Sequence, residues 1–227
     1  MHIQLVDNSP QGELISYKDS LAEQTALFHQ AVEAKRHSTH PLQHHLIFNQ
    51  HRPVLTLGKH ADTHNILITP QLLQARGIDC YQIERGGDVT YHGPGQWTIY
   101  PIFDLEELGI GLRRYVELLE EVAIQVADKF GVHGTRIQGA SGVWIDPQHP
   151  RKLCAIGIQA SHYITMHGIA INVTTPPEAF SIINPCGFSD RGVTNLSIEA
   201  GQEITMAQTK HLLIQSFQDL FQREIRY

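Results

Sequence analysis

The sequence has little of what would place it outside the ordinary globular class. Its 227 residues hold three cysteines, Cys80, Cys154 and Cys186. That is an odd number with no Cys-x-x-Cys pair, which argues against both a disulfide framework and a cysteine zinc site. No run approaches the roughly eighteen uninterrupted apolar residues needed to cross a bilayer. Residues 1–13 carry Asp7 and Glu13, no Lys or Arg and no apolar core, so no signal or transit peptide is visible and the reading is cytoplasmic. Lys and Arg number 17 against 23 Asp and Glu, a net charge of -6. The surplus of cations that phosphate neutralisation needs is missing, which excludes nucleic acid as a partner class. There is no internal repeat, low-complexity linker or composition break, so residues 1–227 read as one domain. At 41% hydrophobic and 18% charged residues, the chain is long enough to bury a proper core. Fifteen histidines are many, yet none form His-Glu-x-x-His. The group His37, His40, His44 and His45 is broken by Pro41 and reads as a solvated loop with no metal site.

What the chain does have is one dense stretch, Arg85-Gly86-Gly87-Asp88-Val89-Thr90-Tyr91-His92-Gly93-Pro94-Gly95-Gln96. Glycines and a proline at this density exclude a helix interior. The flanking runs, Ile78–Ile83 and Trp97–Phe103, are rich in β-branched and aromatic residues, so the stretch reads as a shaped loop joining two strands. Glycines there let a ligand approach main-chain N–H groups. Arg85, Tyr91 and His92 among them give the composition of a binding site. Gly58-Lys59 does not make a phosphate loop, because Pro53 stands where the first glycine belongs and His60 where Ser or Thr does.

Around this stretch the periodicities predict a helix over 16–34, with Ser20 and Glu23 spaced as a capping box, and a pair of strands at 45–49 and 54–57. A short helix at 70–76 starts on Pro70 and stops before Gly77. The strongest helix runs from Leu112 to Phe130, stopping at Gly131, with Glu117, Glu120, Glu121, Asp128 and Lys129 as its wet face. Strands follow at 142–145, 152–159 and 169–173, then a short helix at 177–183 and a last amphipathic helix carrying Met206, Leu213, Phe217, Leu220 and Phe221. Intermixed strands and helices with hairpin-length connections predict an α/β (α+β) domain with a mixed, largely antiparallel sheet flanked by helices.

An enzyme nucleophile splits acyl transfer into two easier steps, and a cysteine thiolate suits that role when a cation or base lies near it. Cys80 sits in a strand with no basic residue and reads as packed. Cys154 shares a strand with Lys152, and alternation puts the two on one face. Cys186 lies between Pro185 and Gly187 in a turn that leaves its sulfur reachable. Residue context leaves Cys154 and Cys186 both open.

The stretch from Arg85 to Gln96, followed by Trp97-Thr98-Ile99-Tyr100-Pro101, resembles the signature of the lipoyl(octanoyl) transferases. Two further segments, Arg151-Lys152-Leu153-Cys154-Ala155-Ile156-Gly157 and Asn184-Pro185-Cys186-Gly187, resemble that family's other motifs. The resemblance runs from about Gly58 to Asn195. Trp97 departs from it where an aliphatic residue is common, and Ala140-Ser141-Gly142 replaces a more usual Pro-Gly form. It implies the fold shared with lipoate-protein ligases and the catalytic domain of biotin-protein ligases. The activity implied is transfer of an octanoyl or lipoyl group from acyl carrier protein to a lysine of lipoyl domains, the first step of endogenous protein lipoylation. The implied acceptors are 2-oxoacid dehydrogenase E2 subunits and the glycine cleavage H protein. Cys186 is implied to be the acyl-thioester nucleophile and Lys152 the residue that lowers its pKa. The implied substrate contacts are Arg85, Gly86, Gly87, Asp88, Val89, Thr90, Tyr91, His92, Ala155, Ile156, Gly157, Gly168, Ile169 and Ala170, with His167 in support and no cofactor or metal.

Two other readings fit parts of the chain. An ATP-dependent lipoate or biotin ligase would activate a free acid and leave Cys186 incidental. A non-catalytic module would bind lipoyl domains or acyl carriers without needing Lys152 and Cys186. Since the implied partners are acidic and this chain is negative overall, their binding calls for a local basic patch, expected at Arg113, Arg114 and Arg151.

Overall fold

The computed structural model describes residues 2–37, 42–184 and 192–227. In chain order its elements are β1 (Ile3–Asp7), β2 (Leu14–Ile15), α1 (Tyr17–Arg36), β3 (His44–His51), β4 (Val54–Leu57), α2 (Pro70–Ala75), β5 (Asp79–Gln82), β6 (Val89–His92), β7 (Gln96–Ile102) and α3 (Leu112–Asp128). Then come β8 (Thr135–Ile137), β9 (Ala140–Ile145), β10 (Arg151–Ser161), β11 (Ile164–Asn172), β12 (Gly192–Val193), α4 (Leu196–Ala200), α5 (Met206–Phe221) and β13 (Ile225–Arg226).

The large sheet runs β13-β1-β3-β7-β11-β10-β9-β8, with β2 beside β3 and β12 beside β10. From β3 to β8 every neighbour is antiparallel, while β13, β1 and β3 run parallel, as do the β2 and β12 additions. The sheet is therefore mixed and largely antiparallel, as the connection lengths predict. A second sheet of three strands, β5-β4-β6, stands apart from it.

Side-chain alternation divides the large sheet into two faces. Leu46 and Phe48 of β3, Trp97 and Ile99 of β7 and Ile169 and Ile171 of β11 point into one core, with Leu119, Val122 and Val126 of α3 and Leu213, Phe217 and Phe221 of α5. The alternate residues Ile47, Tyr100, Ile102 and Met166 meet Phe28 and Val32 of α1. The small sheet has its own apolar cluster, in which Leu55, Val89 and Tyr91 pack on Phe180 and Ile183.

Several local expectations are corrected. Ser16, not Ser20, caps α1, accepting from Asp19 N at 3.3 Å, and Ser20 lies buried within the helix. The strands at 45–49 and 54–57 do not pair with each other. Pro53 withholds a donor where the chain leaves β3, and the chain continues into the second sheet. Within the glycine-rich stretch, Val89–His92 is a strand, antiparallel to β4 from Leu57↔Val89 to Val54↔His92. Glu120 leaves the wet face of α3: it is buried and accepts from Gly142 N at 3.1 Å and Arg136 Nε at 3.0 Å. His44 and His45 belong to β3, and His44 is buried, so they form no solvated loop; His40 lies outside the described residues. The fragment at 177–183 is a 3-10 turn over Pro177–Phe180. Among the described residues, no helix is long and apolar enough to cross a membrane.

Phe217 is fully buried where α5 meets the large sheet and stacks on Phe221 with ring centroids 5.7 Å apart. Phe217→Ala is expected to cost about 3–5 kcal/mol. Thermal melting should show this as a midpoint lowered by roughly 10 °C.

Candidate active site

A cavity of about 340 Å³ opens between the large sheet, on its α1 side, and the small sheet. The glycine-rich stretch forms one wall because its backbone is bonded on both sides. Gly86 N donates to Ile158 O at 2.9 Å, Lys59 N to Arg85 O at 2.9 Å and Gly58 N to Asp88 O at 3.2 Å. Asp88 accepts from Asp62 N at 3.0 Å and Asn65 Nδ2 at 2.6 Å. Two glycines are required by this packing. Gly87 has φ +92, and a Cβ on Gly58 would collide with the Gly87 carbonyl.

Arg85 turns inward and is buried. Its Nη2 donates to Thr56 O at 2.6 Å and Thr56 Oγ1 at 3.0 Å, and its Nη1 donates to Gly86 O at 3.0 Å. From Thr56 a chain of polar groups crosses the site. Thr56 Oγ1 lies 3.4 Å from His92 Nε2, and His92 Nδ1 lies 2.7 Å from Gln96 Oε1. Gln96 Nε2 donates to Asn172 Oδ1 at 2.9 Å, and Asn172 Nδ2 to Thr194 O at 3.0 Å. The amide oxygen of Gln96 can only accept, so His92 carries its proton on Nδ1, and its Nε2 lone pair is left for the Thr56 hydroxyl.

Burial pulls His92 down to about 4, its bond to Gln96 opposes this, and the Arg85 charge adds to the lowering. His167 is lowered to about 3 by burial and then by Arg85 and His92. His51, behind the cavity with Nε2 at 2.8 Å from Tyr100 Oη, is lowered to about 3, mainly by burial. His167 also has φ +58 within β11, a left-handed conformation that a side chain adopts at a cost of about 1–3 kcal/mol. All three imidazoles are neutral near pH 7.

Lys152 lines the cavity, its Nζ 4.5 Å from the centre of the Trp144 ring. Alternation predicts Cys154 on the same face, and the structure overturns this. Lys152 pairs with Trp144 but Cys154 with Val143, so Leu153 is an extra residue, a β-bulge. The bulge shifts the alternation: Leu153 and Cys154 both enter the α3–α5 core, while Ala155 and Gly157 join Lys152 on the cavity wall. Burial pushes the Cys154 thiol up to about 12. Cys80 is not packed either; it is exposed on β5, at the edge of the small sheet. Cys186 lies outside the described residues.

Of the other anticipated contacts, Gly86, Gly87, Asp88, Val89, Thr90, His92, Ala155, Gly168, Ala170 and His167 border the cavity with Arg85. Ile156 and Ile169 border it too, but their side chains pack toward the α3–α5 core, so they offer it backbone. Tyr91 instead packs edge-on against Phe180, centroids 5.3 Å apart. Small size at Gly157 makes room for Arg85, whose Cδ lies 2.9 Å from where a Cβ would stand; a Cβ at Gly168 would strike the Ile99 carbonyl. Ala140 and Ser141, in the segment that departs from the family pattern, also reach the cavity. Sequence reasoning missed Tyr17, Tyr100 and Asn172 as cavity residues. Asn172, polar in an apolar run, carried a local signal, and Tyr100 stands within the signature run; Tyr17 carried none.

A mixed sheet with a small second sheet over a glycine-walled cavity is the architecture of the lipoyl ligase class. The structure superposes on lipoate-protein ligase A solved with ATP at a TM-score of 0.72 and 13% identity, covering 100% of this chain and 88% of that one. Residues 16–218 match the lipoyl protein ligase A/B catalytic domain, and the chain belongs to that family. It is 55% identical over 192 residues to an octanoyltransferase of Porphyromonas gingivalis, spanning 83% of this chain and 39% of that longer protein. It is 45% identical over 210 residues to an octanoyltransferase of Parabacteroides distasonis, spanning 91% and 95%.

The neutral histidines make stability depend on pH. Their folded pKa values of about 3, 4 and 3 lie below the ordinary 6.5, so the unfolded chain binds protons first as pH falls. Their contribution is complete above about pH 6.5 and is lost on acidification toward pH 4. Urea titrations at pH 7 and pH 5 should differ by about 2 kcal/mol per histidine, and His51→Asn should remove about a third of that difference.

Proposed function

We propose that the chain is an octanoyltransferase of protein lipoylation, taking its acyl group from an acyl carrier protein and passing it to a lysine of a lipoyl domain. The placement of Lys152 carries this reading. The bulge in β10 brings its side chain to the cavity wall while turning Cys154 into the core. With Cys154 buried and Cys80 exposed on an edge strand, Cys186 is the cysteine left for a thioester, as the family pattern implies. Lys152 takes the Cys186 proton, and the thiolate attacks the octanoyl thioester carbonyl. The carrier's C–S bond breaks, and its thiolate leaves with the proton that Lys152 returns. The acceptor amine then attacks the enzyme thioester and forms the amide, its surplus proton passing through Lys152 to the departing Cys186 sulfur. Neutral His92 and His167 add no further cation to the cavity beside Arg85, and the reaction belongs to the cytoplasm, where free thiols persist.

Intact mass after mixing with octanoyl-acyl carrier protein should show a single octanoyl adduct. Cys186→Ser should lose it, Cys154→Ser and Cys80→Ser should keep it, and Lys152→Ala should slow its formation by about 10²–10⁴-fold. An adduct surviving in Cys186→Ser would refute the assignment.

The docking face for acidic partners lies at the start of α3. Arg113 and Arg114 are exposed there, and Val116 on the same helix lines the cavity. Their only described ion pairs are with Glu117, at 3.2 and 3.5 Å, exposed and weak. Arg151 does not join the patch: its guanidinium is held by Glu199 at 2.9 Å and Asp146 at 3.4 Å. Arg113→Glu with Arg114→Glu should raise KM for the acyl carrier protein and flatten its salt dependence, whereas Arg151→Ala should leave that dependence intact.

A further inference from the structure

Resting on the acyl-transfer reading of this cavity, we propose that Tyr17, backed by Tyr100, is the stop that closes the acyl slot and fits it to an eight-carbon chain. Tyr17 opens α1, far in sequence from every motif of the site, yet both tyrosines are buried and line the cavity.

Their place in the cavity follows from strand geometry. Lys152 marks the reacting end of β10, and Gly157 lies five residues further on, about 13 Å along the strand because the bulge takes up one residue. At Gly157 the cavity meets Arg85, and Tyr100 stands at the same level of the sheet, since Gly157 pairs with Gly168 and the neighbouring Ile169 with Ile99; Tyr17 stands beside it, both rings meeting His51. The tyrosines therefore stand at the end away from Lys152. Lys152 reaches across to Trp144, not along the strand, so an extended octanoyl chain takes about 8 Å of that run at roughly 1.2 Å per bond, and the contacts at its two ends take the rest. An acyl carbonyl held within reach of Lys152 puts its terminal methyl against the Tyr17 and Tyr100 rings.

The stop is rigid. Tyr17 lies parallel to His92 at 6.3 Å between centroids, meets His51 edge-on at 5.2 Å and lies 5.4 Å from Tyr81. Tyr100 is tied through its hydroxyl to His51 at 2.8 Å. Neither ring has room to swing aside, so carbons beyond the eighth meet packed rings where a longer slot would reward each with more buried surface.

The test compares kcat/KM of the parent, Tyr17→Leu and Tyr17→Trp on acyl carrier protein loaded with hexanoyl, octanoyl, decanoyl and dodecanoyl groups. Each further methylene seated is worth about fourfold. Tyr17→Leu should therefore raise the decanoyl-to-octanoyl ratio by about tenfold. Tyr17→Trp should lower the octanoyl-to-hexanoyl ratio by a similar factor. If Tyr17→Leu fails to melt cooperatively, the Trp variant decides alone. An octanoyl optimum unchanged in a cooperatively melting variant overturns the stop while leaving acyl transfer intact. A parent inactive on every chain length overturns the acyl-transfer reading and the stop with it.

Discussion

Much of the site depends on one buried cation. Taking the Arg85 guanidinium out of water costs several kcal/mol unless its donors are met, and they are met by Thr56 and by the Gly86 carbonyl. The same contacts hold the glycine-walled stretch in place, because Arg85 belongs to that stretch and Thr56 to the small sheet beneath it. The cation dictates its neighbours. Gly157 has no side chain because the Arg85 Cδ occupies the space, and His92 and His167 stay neutral partly because a positive charge already stands near them. A polar chain through Thr56, His92, Gln96 and Asn172 then carries this fixed geometry across to Thr194, whose N–H donates to Lys152 O at 3.1 Å.

The large sheet serves two purposes by having two unlike faces. Toward α3 and α5 it is dry and closely packed, with Trp97 anchored through its Nε1 to Met206 O at 2.9 Å. Toward α1 that packing ends at Tyr17 and Tyr100, and the space beyond is left as cavity. The rigidity of the first face lets the second remain hollow without collapse, since an unfilled volume survives only where the surrounding core cannot relax into it.

The elements with strong periodicity were legible in the sequence. Leu112–Asp128, Met206–Phe221 and the Pro70 helix formed where their apolar spacing and end signals put them. The misreadings share a cause, which is that pairing partners are distant in sequence. Val89–His92 is a strand because β4 lies beside it, although its glycine-rich surroundings suggest a loop. Glu120 is buried because Gly142 N and Arg136, sixteen or more residues away, satisfy it. In the cavity, the residues of the glycine-walled stretch and of β10 and β11 could be named from motifs, whereas Tyr17 stands in no motif and Tyr100 stands in the signature run without any mark of a cavity role. Their role comes from where α1 and β7 cross, and no local pattern encodes that crossing.

The bulge at Leu153 amounts to a reading-frame correction written in structure. A strand assigns its side chains to two faces in strict alternation, so the one extra residue resets which face every later residue of β10 occupies. Laid out in strict alternation, the same residues would send Ile156 and Ile158 into the cavity and Ala155 and Gly157 into the core, filling the hollow and hollowing the core at a stroke. Deleting Leu153 would therefore regularise the ladder and leave Ala155 and Gly157 facing the cavity, whereas deleting a residue of β10 beyond the bulge would exchange the two sets. The bulge is thus a place where the strand can shorten by one residue without changing what faces the cavity.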